Sequence, residues 1–171
     1  MFIAHVPSGY LLGVLLQRLQ RRPALSRPVL PACMLGATVP DLDLFYFYLV
    51  DGRQTHHHQY FSHWPSLWLG LTILAGLWLS LRRDSTGAAM TLAFALGGML
   101  HMLLDSFVGD IWWLAPLPGQ PFALFGVPTL HQPWWLNFLL HWTFVAELAI
   151  CAAALLVYRI RRGHRQTERR P

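Results

Sequence analysis

The sequence predicts an all-α protein, a polytopic membrane bundle of about five membrane segments. Two observations predict it. Only 12% of the 171 residues are charged and 54% are hydrophobic, whereas a soluble domain carries about 25% charged residues. So few charges could hardly cover a soluble surface of this size. The apolar runs also approach or exceed the roughly 18 residues that suggest a membrane-spanning helix.

The segments follow in order. Met1–Leu19 has the shortest uninterrupted apolar part. It lacks Arg and Lys in its first ten residues, and no small-residue cleavage site follows. It is therefore expected to stay on the chain and not to act as a signal peptide. Val29–Val50 is interrupted by Pro40, Asp41 and Asp43. Proline disfavours helix at Val39 and removes one backbone donor. The segment is thus expected to break and restart, with both carboxylates in the first turn of the new helix. Trp64–Leu81 carries no formal charge. Ala88–Leu100 is also uncharged and continues to Val108 past His101 and Asp105. Trp134–Tyr158 contains His141 and Glu147 as its ionisable groups besides the cysteine and the terminal tyrosine. No repeat and no long linker divides the chain, so residues 1–160 read as one domain and 161–171 as a basic tail. Cys33 and Cys151 lie inside apolar segments and read as buried thiols.

All thirteen cationic side chains are arginines. Arg18, Arg21, Arg22 and Arg27 lie between the first two segments, and Arg82 and Arg83 between the third and fourth. Arg159, Arg161, Arg162, Arg165, Arg169 and Arg170 follow the fifth, and Arg53 alone falls in the other set of loops. The positive-inside rule then places the N-terminus outside and the C-terminus in the cytoplasm. Trp64, Trp112, Trp113, Trp134 and Trp135 fall at predicted outer ends, as an aromatic belt requires. The basic tail is expected to rest on anionic lipid headgroups. Because the arginines have a topological reason to be there, the high pI does not argue for nucleic acid as a partner.

Ionisable groups inside a membrane segment need partners, since an Asp at a helix centre costs about 2.5–3.5 kcal/mol on insertion scales. Asp41, Asp43, Asp105 and Glu147 face this cost, no Lys is present, and every Arg lies in a loop or at a segment end. Histidines and a metal ion are the evident compensation. His101 and Asp105 are four apart and share one helix face. Alone, that spacing also suits a polar pair in a bundle interior. Pro40-Asp41-Leu42-Asp43 is more specific, because broken helices at membrane depth line cavities and sites. The plainer alternative there is that both carboxylates interact with a helix dipole. The run His56-His57-His58-Gln59-Tyr60-Phe61-Ser62-His63 is the densest source of ligands.

Depth links these positions. His5 lies thirteen residues before Arg18, Asp41 fourteen after Arg27, and His101 fourteen after Gly87. At about 1.5 Å per residue each is about 20 Å from the cytoplasmic boundary. His58 and His63 lie at or just above the outer end of the third segment. The candidates thus converge on one layer in the outer part of the membrane.

An early His5, Pro40-Asp41-Leu42-Asp43, a five-residue spacing from His58 to His63, and His101-x-x-x-Asp105 together resemble a family of metal-dependent hydrolases of bacterial inner membranes. Order and approximate spacing hold from residue 5 to about 110. The third element departs from that family's His-Arg-Gly-x-Thr-His-Ser: Gln59-Tyr60 replaces Arg-Gly, Ser62 replaces Thr, and Trp64 replaces the final Ser. That family is more distantly similar to zinc-dependent phospholipase C. The resemblance implies a phospholipase C-like metal site and hydrolysis of a phosphoester, such as a lipid or envelope component. The second His-rich helix of those enzymes has no clear counterpart; His131, His141 and Glu147 are the candidates.

Mixed His and carboxylate ligands suit zinc, with manganese or iron as alternatives, and the set has room for one to three ions. A first site is expected from Asp41 or Asp43, His58 or His63, His101 and Asp105, and a second from His5 with Asp105. Asp105 and Asp43 are the carboxylates expected to take part in catalysis, Asp105 by bridging two ions that activate a water. Membrane lipids and a lipid or small phosphoester are the expected partners. A lateral substrate would pass the stretch 110–133 as rim or lid. The competing class is a non-enzymatic metal-binding or transport protein, which should place ionisable groups at several depths along a path. Their concentration in one layer favours an enzyme.

Overall fold

The structure is a computed structural model that describes residues 3–19 and 23–167. Met1, Arg21, Arg22, Arg169 and Arg170 lie outside the described residues. The regular elements of the described chain are all helices, with a long loop between residues 106 and 134. The chain runs as α1 (His5–Leu19), α2 (Pro23–Gly36), a 3-10 turn (Val39–Leu42), α3 (Asp43–Leu49), two further 3-10 turns (His57–Gln59 and Phe61–His63), α4 (Pro65–Leu81), α5 (Thr86–Asp105), α6 (Trp135–Leu139) and α7 (Thr143–Thr167). A single isolated bridge joins Ile111 and Phe122 in the loop after α5.

Among the described residues, two helices are long and apolar enough to cross a membrane: α5, and α7 over Thr143–His164. A third span is present if Pro28–Gly36 and Val39–Leu49 count as one, bent by 50° at the break. The expected five segments therefore resolve into two or three spans of sufficient length and composition. The apolar α4 has 17 residues and α1 has 15.

The break at Pro40 falls where the sequence places it. The 3-10 turn opens with Val39-Pro40, and α3 begins at Asp43. The fifth segment differs from expectation. It splits into α6 and α7, interrupted over residues 140–142. The Asn137 side chain fastens the start of the split segment. Its Oδ1 accepts from the amides of Leu130 and His131, and its Nδ2 donates to the carbonyls of His131 and Trp134. These bonds hold α6 against the loop before it. Helix α7 runs on to Thr167, so residues 161–167 of the basic stretch are helical. Arg161 there donates to Gln17 of α1 across 2.8 Å.

Small residues bring the helices together, as membrane helix packing favours. At Gly97 of α5 an added Cβ would meet the Ala37 nitrogen at 2.8 Å and overlap the Cys33 carbonyl. At Gly98 it would overlap the Trp68 indole of α4. α5 is thus clamped between α2 and α4 with its backbone in contact on both sides. Val29, Ala32 and Cys33 of α2 pack with Ala89 and Ala93 of α5 to form the apolar core. Cys33 is buried as expected, whereas Cys151 is half-buried, on a helix largely turned away from the rest of the chain.

Candidate metal centre

The close α2–α5 approach has a chemical consequence. It brings the Ala37 carbonyl, just past the end of α2, to 2.9 Å from Nδ1 of His101. A carbonyl only accepts, so Nδ1 carries the hydrogen, and a neutral His101 presents the lone pair of Nε2 on its other side. That Nε2 faces Asp105 Oδ2 at 3.1 Å and Asp41 Oδ1 at 3.5 Å. The i,i+4 spacing places Asp105 there, and the chain break at Pro40 turns Asp41 toward it.

His5, the first residue of α1, sits between the same two carboxylates. Its Nε2 is 3.1 Å from Asp105 Oδ1 and its Nδ1 is 3.4 Å from Asp41 Oδ2. Its ring stacks on His101 with centroids 3.8 Å apart. Glu147 of α7 holds this helix start in place. Its Oε2 accepts from the amides of Ile3 and Ala4 at 2.7 and 3.3 Å.

The loop histidines arrive from the other side, again with their tautomers set. His63 donates from Nδ1 to Asp43 Oδ2 at 2.6 Å, and the Ser62 hydroxyl donates to the same oxygen. This is the carboxylate–histidine arrangement that orients metal-ligating imidazoles. Nε2 of His63 then faces Asp105 and Asp41 at 3.8 and 3.9 Å. His58 donates from Nδ1 to the Asp110 carbonyl and turns Nε2 to within 3.5 Å of Asp105 Oδ2. Burial pushes the His58 pKa down to about 2 and holds His63 below the ordinary imidazole value. Both favour the neutral form that ligates metal.

The arrangement fits a cation. Both ring nitrogens of His5 and the Nε2 atoms of His63 and His101 are buried without a hydrogen-bond partner. With their hydrogens on Nδ1, His63 and His101 offer Nε2 lone pairs, and these and the carboxylate oxygens are all acceptors, so their convergence is repulsive until positive charge lies between them. Ligand atoms of Asp41, His63, His101 and Asp105 all lie within 4.8 Å of one another, so this cluster could hold a metal ion. Those of His57, His58 and His63 form a second set.

All seven metal-ligand candidates of the sequence gather in this region, in different roles. Asp43 stands behind His63 and lies outside the four-residue set. His5 bridges both carboxylates. His131 and His141 lie elsewhere: the His131 backbone binds Asn137, and His141 Nδ1 meets Thr143 Oγ1. Glu147 fastens α1 and is not a member of either ligand set. The expected rim also differs. A cavity of about 440 Å³ reaches the cluster at Asp41, His58 and Asp105, and its walls are Leu44, Tyr48, His57, Trp134, Trp135 and Phe138, none from the stretch 110–133.

Sequence reasoning missed Ala37, Ser62, Gly109 and Asp110. Two of these act through carbonyls, which any residue type supplies. Gly109 carries a weak signal: an added Cβ would lie 2.7 Å from His58 Cε1, so the absent side chain leaves room for the ring.

A family model described as YdjM inner membrane protein matches residues 1–165. No curated protein and no solved structure matches the chain.

Proposed function

Because the chain belongs to the YdjM inner membrane protein family, we propose that it acts in the bacterial inner membrane as a metal-dependent hydrolase of a phosphoester, a lipid or another envelope component. The observation that carries the reading is the convergence of buried, partnerless imidazole nitrogens on Asp41 and Asp105. Asp41, His63, His101 and Asp105 would hold one divalent ion, most suitably zinc, with manganese or iron as alternatives. His57 and His58 would contribute to a second. When bound, such ions supply Lewis acidity toward a phosphoryl oxygen and acidify water.

The chain's own residues do the rest. The carbonyls of Ala37 and Asp110 fix which nitrogen of His101 and His58 is offered. Asp43 and Ser62 fix His63. Asp105 is the shared carboxylate, facing His5, His58, His63 and His101. It would be the carboxylate shared between two such ions, and Asp43 would act through His63. With the arginine bias, the centre lies toward the outer face and the C-terminus in the cytoplasm.

The test is elemental analysis of tag-free, detergent-purified protein, followed by a panel of phosphoesters assayed before and after chelation. Bound divalent metal with chelator-sensitive hydrolysis is the expected result. Metal without hydrolysis of any phosphoester would leave a metal-binding membrane protein, and absence of metal would remove the reading altogether.

A further inference from the structure

The cavity that opens on the centre has a lining of two kinds. Asp41, His57, His58 and Asp105 supply ligand groups. Trp134, Trp135, Phe138, Tyr48 and Leu44 supply an apolar, mostly aromatic wall. Trp134 and Trp135 are 51% and 42% exposed. They are followed in the chain by the exposed Leu140, Trp142 and Val145 and by α7, which is long and apolar enough to span the membrane and is only 17% buried over that span. The aromatic residues that line the cavity are thus half-exposed and lead along the chain into an apolar, little-buried helix, as a wall that meets hydrocarbon would.

From this we infer that α6 and the residue before it form a lateral port: the hydrocarbon part of a membrane-dissolved phosphoester packs against Trp134, Trp135 and Phe138 while its phosphoester reaches Asp41, His58 and Asp105. These aromatic residues set specificity for lipid over water-soluble phosphoesters. The inference rests on the phosphoester reading and names which part of the molecule selects the substrate. A larger cavity of about 770 Å³, lined by Leu67, Trp68 and Phe94 among others, meets the centre only at Asp43 and Ser62, behind His63. A chain seated there would not bring its headgroup to the inward-facing nitrogens.

The experiment uses two non-hydrolysable probes, methylphosphonate and hexadecylphosphonate, with manganese-loaded protein in nanodiscs. Affinity is read from broadening of the phosphorus-31 line, and empty nanodiscs correct for membrane partition. Hexadecylphosphonate should bind at least about tenfold more tightly than methylphosphonate. Trp135→Ala with Phe138→Ala should remove most of that advantage and leave methylphosphonate affinity and metal content unchanged. Trp134→Ala, at the half-exposed mouth, should remove part of it without threatening the fold. An advantage that survives all three substitutions, or that is lost instead in Leu67→Ala, overturns the port. If metal is bound but neither probe is broadened, the phosphoester reading fails first and the port falls with it.

Discussion

The Nδ1–H of His101 donates to the carbonyl of Ala37 across 2.9 Å, which leaves Nε2 as the nitrogen that meets Asp41 and Asp105. One backbone carbonyl at the end of α2 thus decides which face of a membrane-buried histidine is offered to the centre. His101→Ala and Asp105→Ala should each retain less than about a tenth of the wild-type metal, because each removes a ligand from the same four-residue set. Both variants should still insert, since insertion follows the apolar runs. Elemental analysis of the three proteins, prepared in parallel without a histidine tag, decides it; equal metal in all three would dismiss the site.

Asp41 and Asp43 are two residues apart and should behave differently. Asp41 faces the inward nitrogens of His5, His63 and His101, so Asp41→Asn should weaken metal binding most strongly. Asp43 holds His63 from behind, and loss of such an orienting partner typically lowers metal affinity 10–100-fold. Competition against a calibrated chelator measures both, and a larger loss in Asp43→Asn than in Asp41→Asn would contradict this assignment.

Glu147 should matter without touching metal. Glu147→Ala strips the acceptor from the Ile3 and Ala4 amides, a loss of about 1–3 kcal/mol for buried groups left unsatisfied. It also frees the helix start that carries His5. Glu147→Gln keeps an acceptor oxygen and should fall between Ala and wild type. Thermal unfolding in detergent ranks the three, and identical midpoints would show that this clamp does not hold α1.

Gly97→Ala should destabilise the fold by about 1–3 kcal/mol, as overpacking does, because backbone atoms of α2 occupy the space its Cβ needs. Gly76→Ala, with nothing within 4 Å, should be neutral or gain up to about 1 kcal/mol of helix propensity. If Gly97→Ala unfolds no earlier than Gly76→Ala, the close α2–α5 approach is wrong. Its loss of metal should track its loss of stability, since the same approach delivers the Ala37 carbonyl.

A reporter fused after Pro171 should be active in the cytoplasm and silent in the periplasm. Twelve of the thirteen arginines lie on that side under the expected topology. Periplasmic activity would invert the topology and move the centre to the inner face.

The sequence by itself determined the membrane character, the break at Pro40 and the identity of the residues that gather. Each follows from local physics. Apolar runs partition into hydrocarbon, proline interrupts a helix, and ionisable groups at membrane depth need each other, so His5, Asp41, His101 and Asp105 could be linked by counting along helices. The tertiary structure alone decided their roles. Asp41 and Asp43 look alike in sequence, yet one faces the inward nitrogens and the other supports His63, because the 3-10 turn and the start of α3 point them to different neighbours. Glu147 reads as a possible ligand and proves to be the clamp on α1. The single apolar run from Trp134 divides at residues 140–142, and Asn137 satisfies backbone groups of the preceding loop, a partnership that composition cannot reveal. The carbonyls of Ala37 and Asp110 were invisible for the same reason: every residue carries one, and only helix packing determines which of them meets a histidine.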